Sequence, residues 1–342
     1  MNCVGKNAIA TIYDVAGLAR VSLATVSRVL NNPDKVNSET RNRVLKAIDE
    51  LGYKPNPIAR GLATKKSTTI AVVVSDITRA SVSQMIDGIL DIADDYHYST
   101  KIFSMRNKNN FDDFVNSIVV EKVDGVILLN DELETEKLKL MQEKFEGFNI
   151  PLVLSNVFSN LDYIPSVNID FEQAGYNITK EMICSGRKDI YFFSTVRKYA
   201  ANERKEAGYI RAMNEFQLEP KIFRTSGNTE INSQHINEFF NHNKVDGVIS
   251  VRDSIAVSFI NIAQSNGFKI PNDIVVVGMQ NTKYSILSNP TLTCINVPVY
   301  EIGTEAMRLL TKFMKKEKVE KIHFILPYNV VYRNSTNYKT DL

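Results

Sequence analysis

The hexapeptide KVDGVI occurs twice in this chain of 342 residues, at positions 122–127 and 244–249. Each copy leads from an amphipathic, helix-length stretch into a short apolar run, and similar runs recur on both sides of it. Short apolar runs that alternate with helix-length stretches are typical of parallel sheets covered by helices. Because the two copies stand at equivalent places in two such series, the sequence predicts two α/β lobes of similar build.

The apolar runs form two series. The first comprises TTIAVVVSD, YSTKIFSM, VDGVILL and IPLVLSN, and the second comprises RKDIYFFST, KIFRTSG, VDGVISV and DIVVVGM. We expect one lobe at about 67–165 with a return near 296–325, the other at about 166–295, and three crossings of the chain between them that form a hinge. Two such lobes form a cleft at the carboxyl ends of their strands, where ligands usually bind.

The first 66 residues differ from the rest in charge. They contain 11 Lys and Arg against 5 Asp and Glu, whereas residues 67–342 contain 30 against 34. A basic balance confined to one segment favours a partner that is a polyanion, although a solvated helical surface would give the same counts.

The remaining bulk features predict a cytoplasmic protein without a metal or a cofactor. No apolar run reaches the roughly 18 residues of a membrane span, and the N-terminus has no apolar secretory segment. The three cysteines are scattered, as is usual in a reducing compartment. No histidine has the spacing of a metal ligand relative to a cysteine or a carboxylate cluster.

The basic segment predicts a bundle of short helices. Thr11 and Asp14 have the spacing of a capping box, Ser22 is a second N-cap for a helix over 23–30, and Asn37 is a third. A short helix, a tight turn and a second short helix with a polar outer face form a helix-turn-helix pattern. The second helix of such a unit enters the major groove of DNA.

Several side chains of this unit suit DNA. Arg28 can donate hydrogen bonds to guanine, Leu23 and Ala24 can touch thymine methyl groups, and Ser27 shares their helix face. Hydroxyl and amide groups suited to phosphate contacts are supplied by Thr11, Tyr13, Ser22, Thr25 and Asn31. The pattern alone also occurs in helical bundles that bind no DNA.

Residues 11–32, TIYDVAGLARVSLATVSRVLNN, resemble the signature of the LacI/GalR family of transcriptional regulators, most clearly in TVSRVLN. YKPNPIARGL at 53–62 resembles the hinge of that family. The resemblance implies a helix-turn-helix domain with a hinge helix over 1–66, followed over 67–342 by a two-lobed, periplasmic-binding-protein-like α/β domain with parallel sheets. One departure is Arg20, which stands in the turn where many relatives have glycine.

The hinge helix is expected at about 56–64. Asn56 is a good N-cap and Pro57 suits the first helical position. A helix of about two turns is marginal in water, so we expect it to form only against DNA and a second copy of the chain. The resemblance assigns Asn56, Ala59 and Leu62 to the DNA contact, with Leu62 wedged into the minor groove at the centre of a pseudopalindromic operator.

The resemblance also implies an effector site in the cleft. Asp253 matches a position, usually aspartate or asparagine, that binds sugar hydroxyl groups. Arg204 and Lys205 fall where relatives often place a basic ligand contact, and Asn281 follows the run DIVVVGM. Because Gln280 replaces a common aspartate, the sequence leaves open whether a sugar or sugar phosphate still binds here.

Residues 298–314, PVYEIGTEAMRLLTKFM, resemble the catabolite control branch of the family in low-GC Gram-positive bacteria. In that branch the corresponding helix helps to bind serine-phosphorylated HPr as a co-repressor. Tyr300, Met307 and Arg308 match the contacting residue types. A guanidinium suits a phosphoserine because it makes paired, charge-assisted hydrogen bonds. The alternative is a helix that serves only the core or a dimer contact.

Two other classes of protein compete with a regulator. An enzyme is disfavoured because the sequence contains no GxGxxG after a strand, no GxxxxGK[ST], no HExxH and no nucleophile elbow. A sugar transport receptor would share the two-lobed body, but it would not need the basic N-terminal domain. Among homodimeric regulators, two mechanisms remain: a catabolite regulator with a phosphoprotein co-repressor, and a local repressor controlled by a sugar.

Overall fold

The computed structural model describes residues 10–53, 67–105, 110–129, 131–197, 199–226 and 229–337, without the side chains of residues 31, 229 and 230. The chain divides into two compact units, Met1–Thr68 and Thr69–Leu342, so the division lies two residues beyond the expected one. The proposed hinge contacts Asn56, Ala59 and Leu62 lie outside the described residues.

Within residues 10–53, the first unit contains three helices, α1 (Ile12–Ala19), α2 (Leu23–Asn31) and α3 (Ser38–Leu51), with a 3₁₀ turn at Pro33–Lys35. Each helix begins at the N-cap expected from the sequence. Thr11 and Asp14 form a capping box, and the side chains of Ser22 and Asn37 accept hydrogen bonds from backbone N–H groups in the first turns of α2 and α3. The apolar faces of the three helices enclose a small core built around Val15, Val26 and Val44.

Arg20 ends α1 in the left-handed region, with φ 53° and ψ 48°. Its backbone N–H donates to the carbonyl groups of Ala16 and Gly17, which is how a left-handed residue satisfies the last turn of a helix. A side chain in this region costs about 1–2 kcal/mol relative to glycine. The turn between α1 and α2 therefore keeps its geometry without the glycine, at a cost in strain.

The second unit contains two six-stranded sheets covered by helices. Its strands are β1 (Thr69–Val74), β2 (Ser99–Ser104), β3 (Gly125–Leu128), β4 (Leu152–Ser155), β5 (Ser166–Ile169), β6 (Ile190–Thr195), β7 (Lys221–Thr225), β8 (Gly247–Ser250), β9 (Val275–Gly278), β10 (Thr293–Asn296), β11 (His323–Leu326) and β12 (Asn329–Val331). Its helices are α4 (Ala80–Asp95), α5 (Phe111–Val120), α6 (Thr135–Gly147), α7 (Phe171–Cys184), α8 (Ala200–Glu215), α9 (Thr229–His242), α10 (Asp253–Ser265), α11 (Lys283–Leu287) and α12 (Val299–Met314).

The two sheets have equivalent strand orders. One runs β2-β1-β3-β4-β5-β11 and the other β7-β6-β8-β9-β10-β12, and all pairs are parallel except β10 with β12. The two KVDGVI segments lead into β3 and β8, which occupy the same place in each sheet. Their glycines face covering helices, because a Cβ on Gly125 would strike the side chain of Leu310 and one on Gly247 that of Met182. The expected pair of similar α/β lobes is confirmed.

The boundary between the lobes differs from the expected one. Strand β5 pairs with β4 and β11 in the first sheet, so a boundary at 165/166 falls one strand too early. The segment SVNI carries two polar residues among four and gives a weak strand pattern. The chain passes from the first sheet to the second after β5, returns after β10, and passes again between β11 and β12. Ser335 then packs against β9 in the second lobe.

Within the described residues, none of the helices combines the length and apolar character that a membrane crossing requires.

Candidate functional site

The outer face of α2 carries the residues expected to read DNA. Leu23, Ala24 and Arg28 are exposed, while Val26 and Val29 point into the core on the opposite side. Ser22, Thr25 and Ser27 are exposed or half-buried around the same face. The structure therefore brings the expected base-contacting residues together on one helical surface.

The phosphate-contacting candidates flank this surface. Tyr13 on α1 is 71% exposed, and no core contact explains an aromatic side chain at this position. Thr11 donates its hydroxyl to Asp14 over 2.7 Å, and this bond lowers the pKa of the Asp14 carboxyl. Thr11 and Ser22 thus serve as helix caps, and both residues are exposed at the starts of α1 and α2.

A cavity of about 410 Å³ lies between the two lobes of the second unit, next to the carboxyl ends of β1, β8 and β9. Its walls are mostly hydroxyl, amide and charged groups. The lining residues are Asp76, Thr78, Arg79, Ala80, Ser81, Ser83 and Gln84 from the first lobe, and Arg252, Ser254, Gln280, Thr282, Lys283 and Tyr284 from the second. Three basic side chains against one carboxylate make this cleft suitable for a small polar ligand with negative charge.

One wall of the cleft is built by a stack of charged and aromatic side chains from both lobes. The Arg79 guanidinium lies 4.6 Å from the centroid of the Tyr199 ring, and that of Arg252 lies 5.3 Å from it. Arg79 also reaches Asp131 over 3.4 Å. Burial, with the charge of Arg79 nearby, lowers the pKa of Arg252. The stack joins Arg79 of the first lobe to Tyr199 and Arg252 of the second.

Lys205 and Asp253 lie beneath the cleft rather than in its wall. Lys205 is 2% exposed, with its ammonium 4.5 Å from the centroid of the Phe171 ring. Burial lowers the pKa of Lys205 to about 7, and the charge of Arg79 acts in the same direction. Asp253 is 1% exposed and accepts hydrogen bonds from the backbone N–H and the hydroxyl of Thr282. Burial raises the pKa of Asp253, and its carboxylate holds Thr282 at the edge of the cleft.

The other two residues expected to bind an effector point elsewhere. The Asn281 side chain donates to Asn296 and accepts from Arg333, within a network of the second lobe. Arg204 lies against the Phe158 ring in a separate cavity. Neither Arg204 nor Asn281 lines this cleft, so their expected role in effector binding stays a prediction.

Four further residues that line the cleft or form its wall were not among the expected site residues. Arg79, Asp131 and Arg252 each stand within a few residues of the carboxyl end of a parallel strand, and Tyr199 follows β6 in the same way. Their position after a strand was the signal, since ligands of parallel α/β sheets bind at this edge. Among the described residues, no group of histidine, cysteine and carboxylate side chains is arranged to hold a metal ion.

Helix α12 carries the expected co-repressor contacts. Arg308 is exposed and lies 3.5 Å from Glu305, and the Tyr300 hydroxyl donates to Asp91 over 2.7 Å, which raises the pKa of Tyr300. Met307 is fully buried in the core, so its expected contact with a partner is wrong. Lys312, four residues after Arg308, is exposed on the same face and was missed.

Known families and proteins are similar to this chain along most of its length. The model of the bacterial regulatory proteins of the lacI family matches residues 11–56, and that of the periplasmic binding protein-like domain matches residues 179–336. Catabolite control protein A of Priestia megaterium is 37% identical over 332 residues, which cover 95% of this chain and 99% of that protein. The protein of the same name from Staphylococcus xylosus is 35% identical over 95% of this chain and 99% of its own length.

Solved structures agree with these relatives. The Lac repressor dimer, solved bound to its operator and the anti-inducer ONPF, has a TM-score of 0.86 and 25% identity over 96% of this chain and 99% of that chain. The transcription regulator CcpA of Lactococcus lactis has a TM-score of 0.70 and 28% identity over 79% of this chain and 99% of that chain. These relatives are regulators and not enzymes. The exposed recognition face of α2, the two-lobed body and the matches along 95% of the chain lead to one conclusion: the protein belongs to the LacI family and is a DNA-binding transcriptional regulator.

Proposed function

We propose that this protein is a regulator of carbon catabolite control, which binds a pseudopalindromic operator as a homodimer with serine-phosphorylated HPr as its co-repressor. The observation that carries the proposal is the 37% identity to a catabolite control protein over nearly the whole chain. The exposed side chains of Arg308 and Lys312 on α12 support the proposed contact with the co-repressor.

Two sets of residues on the first unit would contact the operator, one at the bases and one at the phosphates. Arg28, Leu23 and Ala24 would meet base edges, which specify sequence. Phosphate contacts, which fix position, would come from Thr11, Tyr13, Ser22, Thr25, Ser27 and Asn31. Asn56, Ala59 and Leu62 of the hinge would act at the operator centre, where an inserted leucine favours kinked DNA.

The co-repressor contact is proposed at the exposed stripe of α12. Residues Glu301, Glu305, Arg308 and Lys312 share one face, because they follow the three- and four-residue spacing of a helix. The Arg308 side chain is 48% exposed and pairs only loosely with Glu305, so a phosphoserine could displace that carboxylate. Lys312 would add a second positive charge, and Tyr300, in the first turn of the same helix, would supply an aromatic contact.

The test is operator binding with and without HPr, measured by fluorescence anisotropy on one operator duplex. We expect serine-phosphorylated HPr to tighten binding by about 5–150-fold, the usual range of allosteric coupling, and unphosphorylated HPr to have no effect. Arg308→Ala should remove most of this gain without changing operator binding of the protein alone. Arg308→Lys should restore part of it, because an ammonium cannot make the planar paired contact.

Lys244→Ala is the matched control, since this lysine side chain is 90% exposed on the other lobe and should leave the gain unchanged. Equal enhancement by both forms of HPr would reject the phosphate contact. Enhancement by neither form would reject the co-repressor.

The second candidate is a local repressor controlled by a small carbohydrate or sugar phosphate. It is favoured by the cleft, whose hydroxyl, amide and basic groups suit such a ligand. Release or tightening of the operator complex by a sugar, with no response to HPr, would select this function. Arg79, Arg252 and Gln280 would then be the contacts, with Lys205 and Asp253 holding the cleft floor.

A further inference from the structure

A second cavity of about 360 Å³ lies between the lobes and shares no lining residue with the cleft. Phe158 and Asn168 of the first lobe form one side of it, and Arg204 and Arg211 on α8 form the other. The start of α7 closes it with two carboxylates, Asp170, which caps the helix through the Gln173 N–H, and Glu172, which pairs with Arg211. Its volume lies near the lower end of the range for small-molecule sites, so it suits a small ligand.

Asn168 contributes a buried acceptor without a partner. The residue is 5% exposed, and its amide NH₂ donates to the Val157 carbonyl over 3.3 Å. Its Oδ1 atom has no hydrogen-bond partner in the part of the chain that the structure describes. An unsatisfied buried acceptor is costly, and a hydroxyl group of a ligand would satisfy it.

Arg204 contributes an unpaired positive charge. Its guanidinium lies 4.7 Å from the centroid of the Phe158 ring and makes neither a hydrogen bond nor an ion pair with any described residue. Arg211 is different, because it pairs with Glu172 over 2.6 Å and with Gln173 over 2.9 Å. Of the two arginines that line the cavity, Arg204 is therefore the one whose guanidinium N–H groups are free. An anion site requires such free donors.

We propose that this cavity is a second ligand site, which binds a small anion that also carries a hydroxyl group. The carboxylate or phosphate would accept hydrogen bonds from Arg204, and the hydroxyl would donate to Asn168. The site goes beyond the proposed function, since it involves neither α12 nor the cleft.

An occupant would contact residues that support the cleft floor. The Phe158 and Phe171 rings lie 5.7 Å apart, and Phe171 also carries the ammonium of Lys205. Asn168 stands in β5, directly before the chain crosses from the first lobe to the second. The site is therefore placed where a ligand would affect the segment that bends when the lobes move.

The experiment is isothermal titration calorimetry on the full chain with four probes: glycerol 3-phosphate, glycerate, inorganic phosphate and glycerol. We expect the first two to bind, inorganic phosphate to bind more weakly, and glycerol not to bind. A preference between glycerol 3-phosphate and glycerate distinguishes a phosphate ligand from a carboxylate ligand.

Two exposed basic residues provide the matched variants. Arg204→Gln should weaken binding by about tenfold or more, because it removes a charge-assisted hydrogen bond. Lys283→Gln, in the cleft, should leave binding unchanged. Dependence on Lys283 and not on Arg204 would place the probe in the cleft and overturn the proposal, as would no binding of glycerol 3-phosphate or glycerate at millimolar concentration. Either result leaves the HPr response of the protein unaffected, so it is distinguishable from failure of the proposed function.

Discussion

Lys205 is a buried residue whose protonation makes the stability of the protein depend on pH. Its ammonium is buried among Arg79, Asp131, Asp253 and Arg252, and burial is the largest cause of its lowered pKa. The pKa of Lys205 is about 7 in the folded protein and 10.5 as an ordinary value. Between pH 7 and 10.5, this lysine therefore binds fewer protons in the folded protein than in the unfolded chain. Stability therefore rises with pH across this window.

We predict that Lys205→Met makes the protein more stable at pH 6–7, and that this gain shrinks as the pH rises from about 7 towards 10. The methionine keeps the volume and removes the buried charge, whose cost is on the order of a few kcal/mol at neutral pH. Urea unfolding of both proteins at each pH measures the difference, with Lys283→Met as the control for loss of an exposed lysine. A gain that is constant with pH would show that folding does not shift the pKa of Lys205.

The two faces of α12 differ, because one is packed in the core and the other is exposed. Ile302, Ala306 and Leu310 are buried with Met307 against the first lobe, whereas Arg308 and Lys312 are exposed. The helix lies so close to α4 that a Cβ on Gly303 would strike the Met85 carbonyl. Substitutions one residue apart on this helix should therefore affect different properties of the protein.

We predict that Met307→Ala lowers the free energy of unfolding by about 2–5 kcal/mol, the usual cost of emptying a buried methionine site. Arg308→Ala should change it by about 0.5 kcal/mol or less. Met307→Leu, which nearly conserves the volume, should recover most of the loss. Urea unfolding measures all three. If Met307→Ala kept full stability and weakened the response to HPr, the side chain would have to face the partner.

At the scale of the whole molecule, the two units divide the work of recognition and regulation. The first unit is small and basic, and the second provides two lobes with a cleft and a second cavity. A single short recognition helix contacts few base pairs, so specific binding needs two copies in fixed register. A regulatory ligand then acts by favouring one arrangement of these copies.

We predict a homodimer that binds one pseudopalindromic operator duplex, because two hinge segments must share one minor groove. Sedimentation on a full operator and on a single half-site measures the stoichiometry. The full site should bind two chains, and a lone half-site should bind much more weakly. A one-to-one complex on the half-site with undiminished affinity would contradict this arrangement.

The sequence by itself determined the local elements and their order. Thr11, Ser22 and Asn37 start helices because their side chains accept hydrogen bonds from the free N–H groups of the first turn, which requires no distant contact. The repeated KVDGVI and the alternation of apolar runs likewise specified two parallel α/β lobes, because buried strands must be apolar on both faces.

Only the tertiary structure decided which side chains meet. Arg204 and Lys205 are neighbours in sequence, yet one lines the second cavity and the other lies under the cleft, since successive residues of a helix point about 100° apart. The sequence predicts a partner contact for Met307, whereas the side chain is buried, because only packing against another element decides which face of α12 is covered. The place of β5 in the first sheet was decided by its pairing with β4 and β11, and a strand of four residues does not encode its partners.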